Sequence, residues 1–280
     1  FVWSPGAKIT YAADEVMQHL QRTPAPYRVL APGGVYEGLN PYPRSWLMSA
    51  GIPVLFGYHG NELRFFDDVL GGKNDWRHQF NRKAIEMFAI RYLVINQEQE
   101  IPGFTKVLGP VDAHRGQAVL YQIDSIPPYA RVLSGAVKVP EAELAATAAD
   151  PRFPVDRLAI YPDTASVSPA PLEQIPGPSP LTAEVTEWEP GRMKIAVTGQ
   201  SDQPQYLVVA ENWYPDWHAT VDGKDVPLLR AQNTLLSVVL PPGAKEVVFR
   251  FESAAYRKGK LISLASLLGV IGLFPAPVVR

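Results

Sequence analysis

The chain has 280 residues, of which 28 are proline, 21 are glycine and none is cysteine. A hydrophobic share of 46% suffices for a packed core and excludes wholesale disorder, whereas a proline content roughly twice the average of about 5% argues against a mostly helical protein. The net charge of −2 gives no electrostatic footprint for nucleic acid, and the lack of cysteine excludes disulfides, zinc–thiolate sites and cysteine nucleophiles.

Residues 1–127 are predicted to form a small α/β domain. Apolar residues at helical spacing, with Thr10 as a plausible cap, predict the first helix. Asn61 is placed to cap a second helix, and Gly71 and Gly72 are placed to end it. Helices are predicted over 10–21, 61–70 and 74–90, and strands over 27–30, 92–95, 105–108 and 118–123. The segment 31–60 is predicted to be mostly loop.

Residues 128–255 are predicted to form an antiparallel β-sandwich, jelly-roll or immunoglobulin-like, which makes the fold class α+β. Short strands at regular spacing are typical of this architecture, and Asp222-Gly223 between alternating runs is a strong hairpin signal. A proline-rich, semi-rigid connector occupies 162–180. Strands are predicted over 129–139, 157–161, 182–189, 192–198, 205–211, 218–221, 224–230, 234–240 and 246–252, with a short helix after Pro140.

The run 261–279 is free of charge, follows three basic residues and precedes Arg280. Its length approaches the 20 or so residues that cross a bilayer, so a C-terminal transmembrane helix is predicted within 256–280. A surface or core helix is the alternative, because only 14 residues of the uncharged run come before Pro275, which would interrupt a helix. The distribution of basic residues leaves the orientation open. The predicted membrane anchors are Leu261, Leu264, Leu267, Leu268, Ile271 and Phe274.

The other end begins at Phe1 without a methionine, a basic region or a signal-peptide cleavage site, and we expect a fragment or a processed product. Common catalytic motifs are missing from the sequence: it holds no phosphate-binding loop, no GxSxG and no HExxH, and its five histidines are scattered. We therefore predict no cofactor, no metal site and no self-contained catalytic site.

A first candidate segment, 57–68, places aromatic, imidazole and carboxylate groups on a loop that leads into a helix. In the functional interpretation it binds a sugar or a phosphate. In the alternative, Glu62 favours the helix start, Arg64 pairs with an aspartate and Tyr58 packs. The candidate ligand-binding residues here are Tyr58, His59, Glu62 and Arg64.

A second candidate segment, 211–218, carries three aromatic residues among polar ones. Their flat faces suit the C–H faces of sugar rings. In the alternative, Trp217 is a core residue and 214–216 form a rigid turn. The candidates here are Trp213, Tyr214 and Asp216. The nearby segment 221–225 is interpreted as a hairpin turn only.

These stretches carry a family resemblance. ENWYPDW at 211–217, VDGK at 221–224, VPLLRA at 226–231, PPG at 241–243 and VVFRF at 247–251 resemble the C-terminal region of YfhO-like bacterial membrane proteins. Residues 57–68 and 87–95 resemble the extracytoplasmic region of the same family. Order and spacing match over roughly 10–270.

The resemblance implies a polytopic protein of the GT-C glycosyltransferase type, which moves a sugar from a polyprenyl-phosphate donor onto a cell-envelope acceptor. Its catalytic acids would lie on an early loop that this chain lacks, so no catalytic residue carries over. We expect an accessory or acceptor-recognition region at the bacterial cell membrane, with the bulk of the chain on the periplasmic face.

Two alternatives stay open: a single-span, non-catalytic structural subunit of a larger membrane complex, and a carbohydrate-binding module. The expected partners are the lipid bilayer through the C-terminal helix, a polyprenyl-linked sugar or cell-envelope glycan, and other membrane protein subunits. Nucleic acid is not expected.

Overall fold

The computed structural model describes residues 13–42, 45–57 and 63–273, with only the backbone described for 271–273. The helices are α1 Glu15–Arg22, α2 Trp46–Ser49, α3 Arg64–Leu70, α4 Arg82–Met87, α5 Leu144–Ala149 and α6 Ala254–Leu273. The strands of the first half are β1 Arg28–Leu30, β2 Ile90–Ile95, β3 Phe104–Ala113, β4 Gly116–Ile123, β5 Ala130–Leu133, β6 Gly135–Val139 and β7 Leu158–Pro162. Those of the second half are β8 Thr182–Glu189, β9 Arg192–Thr198, β10 Gln205–Asn212, β11 Trp217–Val221, β12 Lys224–Val226, β13 Leu229–Ala231, β14 Leu235–Leu240 and β15 Glu246–Phe251.

The first sheet has the strand order β1-β2-β4-β3, with β1 and β2 parallel and the other pairs antiparallel. Apart from Arg91, strand β2 is an apolar run, because both faces of the sheet are covered. Tyr92 and Val94 pack in a core with α1, whereas Leu93 and Ile95 pack in a second core with α3 and α4. The sheet therefore forms the middle layer of this half.

Two helices begin later than the sequence predicts, and one of them ends at the predicted residue. Helix α1 is capped by Asp14, whose side chain accepts a hydrogen bond from the Met17 amide at 2.9 Å, and the predicted cap Thr10 lies outside the described residues. Helix α3 is ended by Gly71 at a φ of 104°, as predicted, whereas the predicted cap Asn61 also lies outside the described residues.

The predicted helix 74–90 is wrong over its first half. Asn74 and Trp76 adopt positive φ values of 61° and 46°, which no α-helix accommodates. Helix α4 begins only at Arg82, after Asn81 caps it by accepting a hydrogen bond from the Lys83 amide at 2.9 Å. The residues before Asn81 form turns.

Two antiparallel sheets, β13-β14-β10-β5 and β12-β11-β15-β9-β8, pack face to face through one apolar core. The sheet β13-β14-β10-β5 contributes Leu207, Leu236 and Val238 to this core. The five-stranded sheet contributes Ile195 and Phe249. This packing accounts for the alternation of apolar and polar residues along β9 and β15. The prediction of a mostly β, sandwich-like second half is confirmed.

Two predicted strands, 129–139 and 224–230, are each divided between two sheets. Ser134 separates β5, which pairs with β10, from β6, which pairs in parallel with β7. In the same way β12 pairs with β11 whereas β13 pairs with β14. Apolar patterning does not reveal such a change of partner, because the residue types on both sides of the break suit a strand.

The sheet β13-β14-β10-β5 is also covered on the face that points away from the five-stranded sheet. Leu133, Tyr206, Val208 and Leu235 project into a core that also contains Leu30. This core joins the β6–β7 pair and α5 to the first sheet and its helices. Because β10 is buried on both faces, its sequence shows an apolar run rather than an alternation. The domain boundary at 127/128 stays a prediction.

Helix α6 follows β15 and presents exposed apolar side chains, among them Leu261, Leu264, Leu267 and Leu268. The backbone of Ile271 lies in the helix, and Phe274 lies outside the described residues. Within the part of the chain that the structure describes, no helix has both the length and the apolar character needed to cross a membrane.

Candidate ligand-binding pocket

The structure describes four of the seven predicted ligand-binding residues. Tyr58, His59 and Glu62 lie outside the described residues. Arg64 is the first residue of α3 and forms an exposed ion pair with Asp68, 3.5 Å away. The remaining three, Trp213, Tyr214 and Asp216, lie after β10 and do not form one site.

Trp213 turns toward the first half of the chain. Its amide donates a hydrogen bond to the Thr234 carbonyl at 2.6 Å, and its ring meets the Phe65 ring edge to face with centroids 6.4 Å apart. Its indole Nε1 is buried and has no hydrogen-bond partner among the described residues. The two candidate segments, about 150 residues apart in sequence, therefore meet at Phe65 and Trp213.

Tyr214 and Asp216 belong to a different environment. The Tyr214 ring lies 6.0 Å from that of Phe251, at the end of β15. The Asp216 carbonyl accepts a hydrogen bond from the Glu252 amide at 2.8 Å. Both residues thus lie beside the start of α6 and away from the Phe65–Trp213 contact.

A pocket of about 240 Å³ opens at the carboxyl end of β1. In sheets that contain parallel strands, ligands bind in crevices outside the carboxyl ends of those strands. Here β1 pairs in parallel with β2, and the loop that follows β1 forms one wall. The pocket is lined by Ala31, Pro32, Gly33, Gly34, Glu37, Asn40, Phe56, Gly57, Asn74 and Trp76.

Two stacked aromatic rings line the pocket. The rings of Phe56 and Trp76 lie 4.5 Å apart with an angle of 17° between their planes. The indole Nε1 of Trp76 donates a buried hydrogen bond of 2.7 Å to the Asp67 carboxylate in α3. This bond fixes the ring, since a buried donor left unpaired is costly.

The turn Gly33-Gly34 is held against the aromatic wall by Gln79. The Gln79 amide accepts a hydrogen bond from the Gly33 amide at 3.1 Å and donates one to the Gly33 carbonyl at 2.9 Å. A Cβ atom on Gly33 would lie 3.0 Å from the Trp76 ring. Only a residue without a side chain keeps the present spacing between the two walls.

The turn that contains Asn74 and Trp76 forms the wall of the pocket opposite Gly33-Gly34, and both residues have a positive φ. Asn74 tolerates its φ of 61°, as asparagine often does, but a bulky residue such as Trp76 at a φ of 46° is an outlier. Strain of this kind persists only where the surroundings enforce it, and it is concentrated at functional sites. The Asp67 and Gln79 hydrogen bonds to Trp76 are the contacts that enforce it here.

A smaller cavity of about 70 Å³ adjoins the pocket and shares Phe56, Gly57 and Trp76 with it. Asn212, from the end of β10, lines this cavity together with Asp67. The second half of the chain therefore contributes a polar residue next to the aromatic wall.

The polar groups of the pocket are two amides and one carboxylate. Asn40 and Asn74 supply the amides, and Glu37 supplies the carboxylate, which lies 3.5 Å from Arg115. Across the described residues, no cluster of histidine and acidic side chains could hold a metal ion. Aromatic carbon beside neutral hydrogen-bonding groups suits a small polyhydroxylated ring better than a phosphate.

Sequence reasoning missed this pocket. Gly33-Gly34 matches no phosphate-binding motif, and Asn74 and Trp76 lie within the predicted helix 74–90. The signal that could have revealed the turn is Gly71-Gly72 followed by Asn74-Asp75, since glycine, asparagine and aspartate all favour turns.

Residues 181–263 match the model of the family described as "Bacterial membrane protein YfhO". This segment is similar to the YfhO family. It spans β8 to β15 and the first half of α6, and it includes the motifs from 211 to 251 on which the resemblance rested. Residues 1–180 lie outside the match.

Among solved structures, the chain is similar to three of arabinofuranosyltransferase AftD from Mycobacteria, two of which are classes of a point mutant. The identities are 21%, 25% and 19%, over 35%, 39% and 40% of this chain, with TM-scores of 0.29, 0.29 and 0.30. The matched region spans 8 to 9% of the length of those chains. No curated protein matches the chain.

Proposed function

We propose that this chain is the accessory, acceptor-recognition region of a membrane glycosyltransferase-like protein that acts on cell-envelope glycans. In this proposal the bulk of the chain lies on the periplasmic face, and the uncharged run that starts at Leu261 inserts into the bilayer. The chain contributes no catalytic loop. The pocket at the carboxyl end of β1 contacts one sugar residue of the acceptor.

The observation that carries the proposal is the pocket wall formed by Phe56 and Trp76 beside the amides of Asn40 and Asn74. Aromatic carbons pack against the C–H face of a sugar ring, and amides exchange hydrogen bonds with its hydroxyl groups. A volume of about 240 Å³ is below the roughly 300 Å³ at which pockets for drug-sized ligands begin. A single sugar residue is therefore the part of a glycan that fits.

The YfhO family segment supports the membrane setting, because the family is described as a bacterial membrane protein. The glycosyltransferase setting rests on the sequence resemblance described above.

The test compares two glycine substitutions in the full chain held in lipid nanodiscs. Gly33→Ala would place a methyl group 3.0 Å from the Trp76 ring and narrow the pocket, whereas a Cβ on Gly38, in the 3₁₀-helix Gly34–Leu39, meets no atom within 4 Å. We expect the unaltered chain to bind oligosaccharides on an array of bacterial cell-envelope glycans. Gly33→Ala should weaken that binding at least tenfold, and Gly38→Ala should leave it unchanged.

A second variant tests the amide at the rim. Asn74→Gly removes the side chain while keeping a residue that accepts a φ of 61°. We expect weaker binding with an unchanged melting temperature. Acceptor recognition at this pocket would be contradicted if the unaltered chain bound no glycan on the array. It would also be contradicted if the Gly33→Ala and Gly38→Ala variants bound equally well.

A further inference from the structure

One end of the five-stranded sheet carries a cluster of exposed aromatic residues. Tyr214, Phe251 and Tyr256 are 46%, 42% and 71% exposed. The Phe251 ring lies 6.0 Å from that of Tyr214 and 5.5 Å from that of the half-buried Trp217. We call Tyr214, Trp217, Phe251 and Tyr256 the aromatic end of the sandwich.

The aromatic end is continuous with helix α6. The hydrogen bond from the Glu252 amide to the Asp216 carbonyl, 2.8 Å long, ties the turn before β11 to the end of β15. The helix begins at Ala254, and its first turn is stabilised by Ser253, whose hydroxyl accepts a hydrogen bond from the Tyr256 amide at 3.3 Å. The aromatic residues therefore lie at the end of β15 and in the first turn of the helix that follows it.

Basic side chains follow the aromatic ones. Between 250 and 260 the chain has Arg250, Arg257, Lys258 and Lys260 against a single acid, Glu252. Arg250 also stands opposite His218 on β11 and opposite Arg192 on β9, so the three form a row across the sheet. Arg192 itself pairs with Glu187 at 2.6 Å.

The order along the chain is thus aromatic, basic and then uncharged from Leu261 onward. Tyrosine and tryptophan are enriched where a membrane meets water, because their apolar bodies enter the boundary while their polar tips stay hydrated. Basic residues next to them gain about 1 kcal/mol each from an anionic lipid surface. The aromatic end matches a phospholipid headgroup layer in both respects.

We infer that the aromatic end of the sandwich lies in the headgroup layer of a phospholipid bilayer, so that β11 and β15 point away from the membrane. The inference rests on the membrane insertion of α6 in the proposed function. It assigns Tyr214 to lipid rather than to a sugar, and it fixes which end of the sandwich is remote from the membrane.

The geometry gives three depths. Four residues of strand separate the pair Trp217–Phe251 from the pair Val221–Val247, which is about 13 Å at 3.3 Å per residue. Lys224 pairs with Val221 and therefore lies level with that far pair, in the exposed hairpin. Leu264 is ten residues into α6, about 15 Å along the helix axis.

The lack of cysteine makes the test direct, because a single introduced cysteine is the sole site for a nitroxide label. The full chain in nanodiscs of mixed zwitterionic and anionic phospholipid would carry Tyr214→Cys, Lys224→Cys or Leu264→Cys. Electron paramagnetic resonance then measures collisions with oxygen, which enters lipid, and with a nickel chelate, which stays in water. Tyr214 and Lys224 are both exposed, so neither variant threatens the fold.

We expect oxygen to dominate at position 264, the nickel chelate to dominate at 224, and position 214 to lie between them. If 264 is in lipid while 214 matches 224, the inference is overturned and the proposed membrane insertion stands. If 214 is shielded from both reagents, protein covers the aromatic end and the inference is again overturned. If 264 is as accessible to the nickel chelate as 224, membrane insertion itself fails, and the inference with it.

Discussion

The guanidinium group of Arg230 lies 3.8 Å from the centre of the Phe65 ring, which joins β13 to α3 across the two halves of the chain. The same group donates hydrogen bonds to the Asn233 carbonyl at 2.8 Å and to the Glu141 carboxylate at 2.6 Å. The Asn233 amide in turn donates to the Phe65 carbonyl at 2.7 Å. Arg230 is therefore the centre of a junction between the two halves of the chain.

We expect Arg230→Ala to lower the free energy of unfolding by about 2 kcal/mol. The Arg230 side chain is only 10% exposed, so its removal leaves the Asn233 carbonyl and one side of Glu141 without a donor. Glu141 is 46% exposed and water can replace part of the lost interaction, which keeps the cost below that of breaking a fully buried pair. Urea denaturation followed by circular dichroism measures the change.

Arg152→Ala is the matched control for this prediction. Arg152 also forms an ion pair, with Asp150 at 2.8 Å, but its side chain is exposed and lies away from the junction. We expect no measurable change in stability. Equal losses for the two variants would contradict a special role for Arg230.

A second prediction concerns the turn at the pocket. Gly34 and Gly51 both have positive φ values, 57° and 76°, so alanine at either position costs about 1 kcal/mol of backbone strain. A Cβ on Gly34 would also lie 2.3 Å from the Asp75 carbonyl oxygen, whereas one on Gly51 meets no atom within 4 Å. We expect Gly34→Ala to lose a further 1–3 kcal/mol or so, as overpacked sites do.

The difference between the two alanine variants isolates the clash from the strain. Chemical denaturation of both variants at the same pH measures it. If Gly51→Ala destabilised the chain as much as Gly34→Ala, the close approach of the 34 and 75 backbones would have no energetic weight.

A third prediction concerns alkaline pH. Burial raises the pKa of Tyr27 from 10 to about 12, helped by the neighbouring Tyr92, and the Tyr27 hydroxyl donates a hydrogen bond to the Leu20 carbonyl. The folded state thus holds this proton more tightly than the unfolded chain. The resulting stability is fully present below about pH 10 and is lost as the pH rises through about 12.

Tyr27→Phe removes both the hydrogen bond and the titration. We expect this variant to be less stable than the unaltered chain at pH 8 and the gap to narrow as the pH approaches 12. The free energy of unfolding in urea at several pH values measures it. Tyr256→Phe, at an exposed tyrosine, should leave the gap near zero throughout, and a gap for Tyr27→Phe that stays constant with pH would refute the linkage.

The β-rich second half could be predicted from the sequence because local signals determine it. The Asp222-Gly223 turn, with Asp222 at a φ of 49°, pairs Val221 with Lys224 as the hairpin signal requires. Along β9, buried and more exposed residues alternate, which is typical of a sheet with one face in the core and the other in solvent. The split at Ser134 could not be predicted, because it depends on which distant strand each half finds.

The pocket could not be predicted for a related reason. Its walls come from Gly33, Phe56 and Trp76, which the chain brings together only through Gln79 and Asp67. The sequence predicts a helix over 74–90, whereas the tertiary hydrogen bonds of Trp76 to Asp67 and Gln79 hold the first part of this segment in turns. The resemblance pointed to 57–68 and 211–218, whose meeting at Phe65 and Trp213 lies beside the pocket but outside it.

The match to the YfhO family starts at residue 181, but the sheet β13-β14-β10-β5 also includes a strand that comes earlier in the chain. Strand β5, from 130–133, forms the edge that pairs with β10 from Tyr206 to Val209. The family match and the fold therefore divide this chain at different places. A piece cut at the family boundary would leave the β10 edge unpaired and open to a neighbouring copy, so expression of the recognisable part alone would favour aggregation.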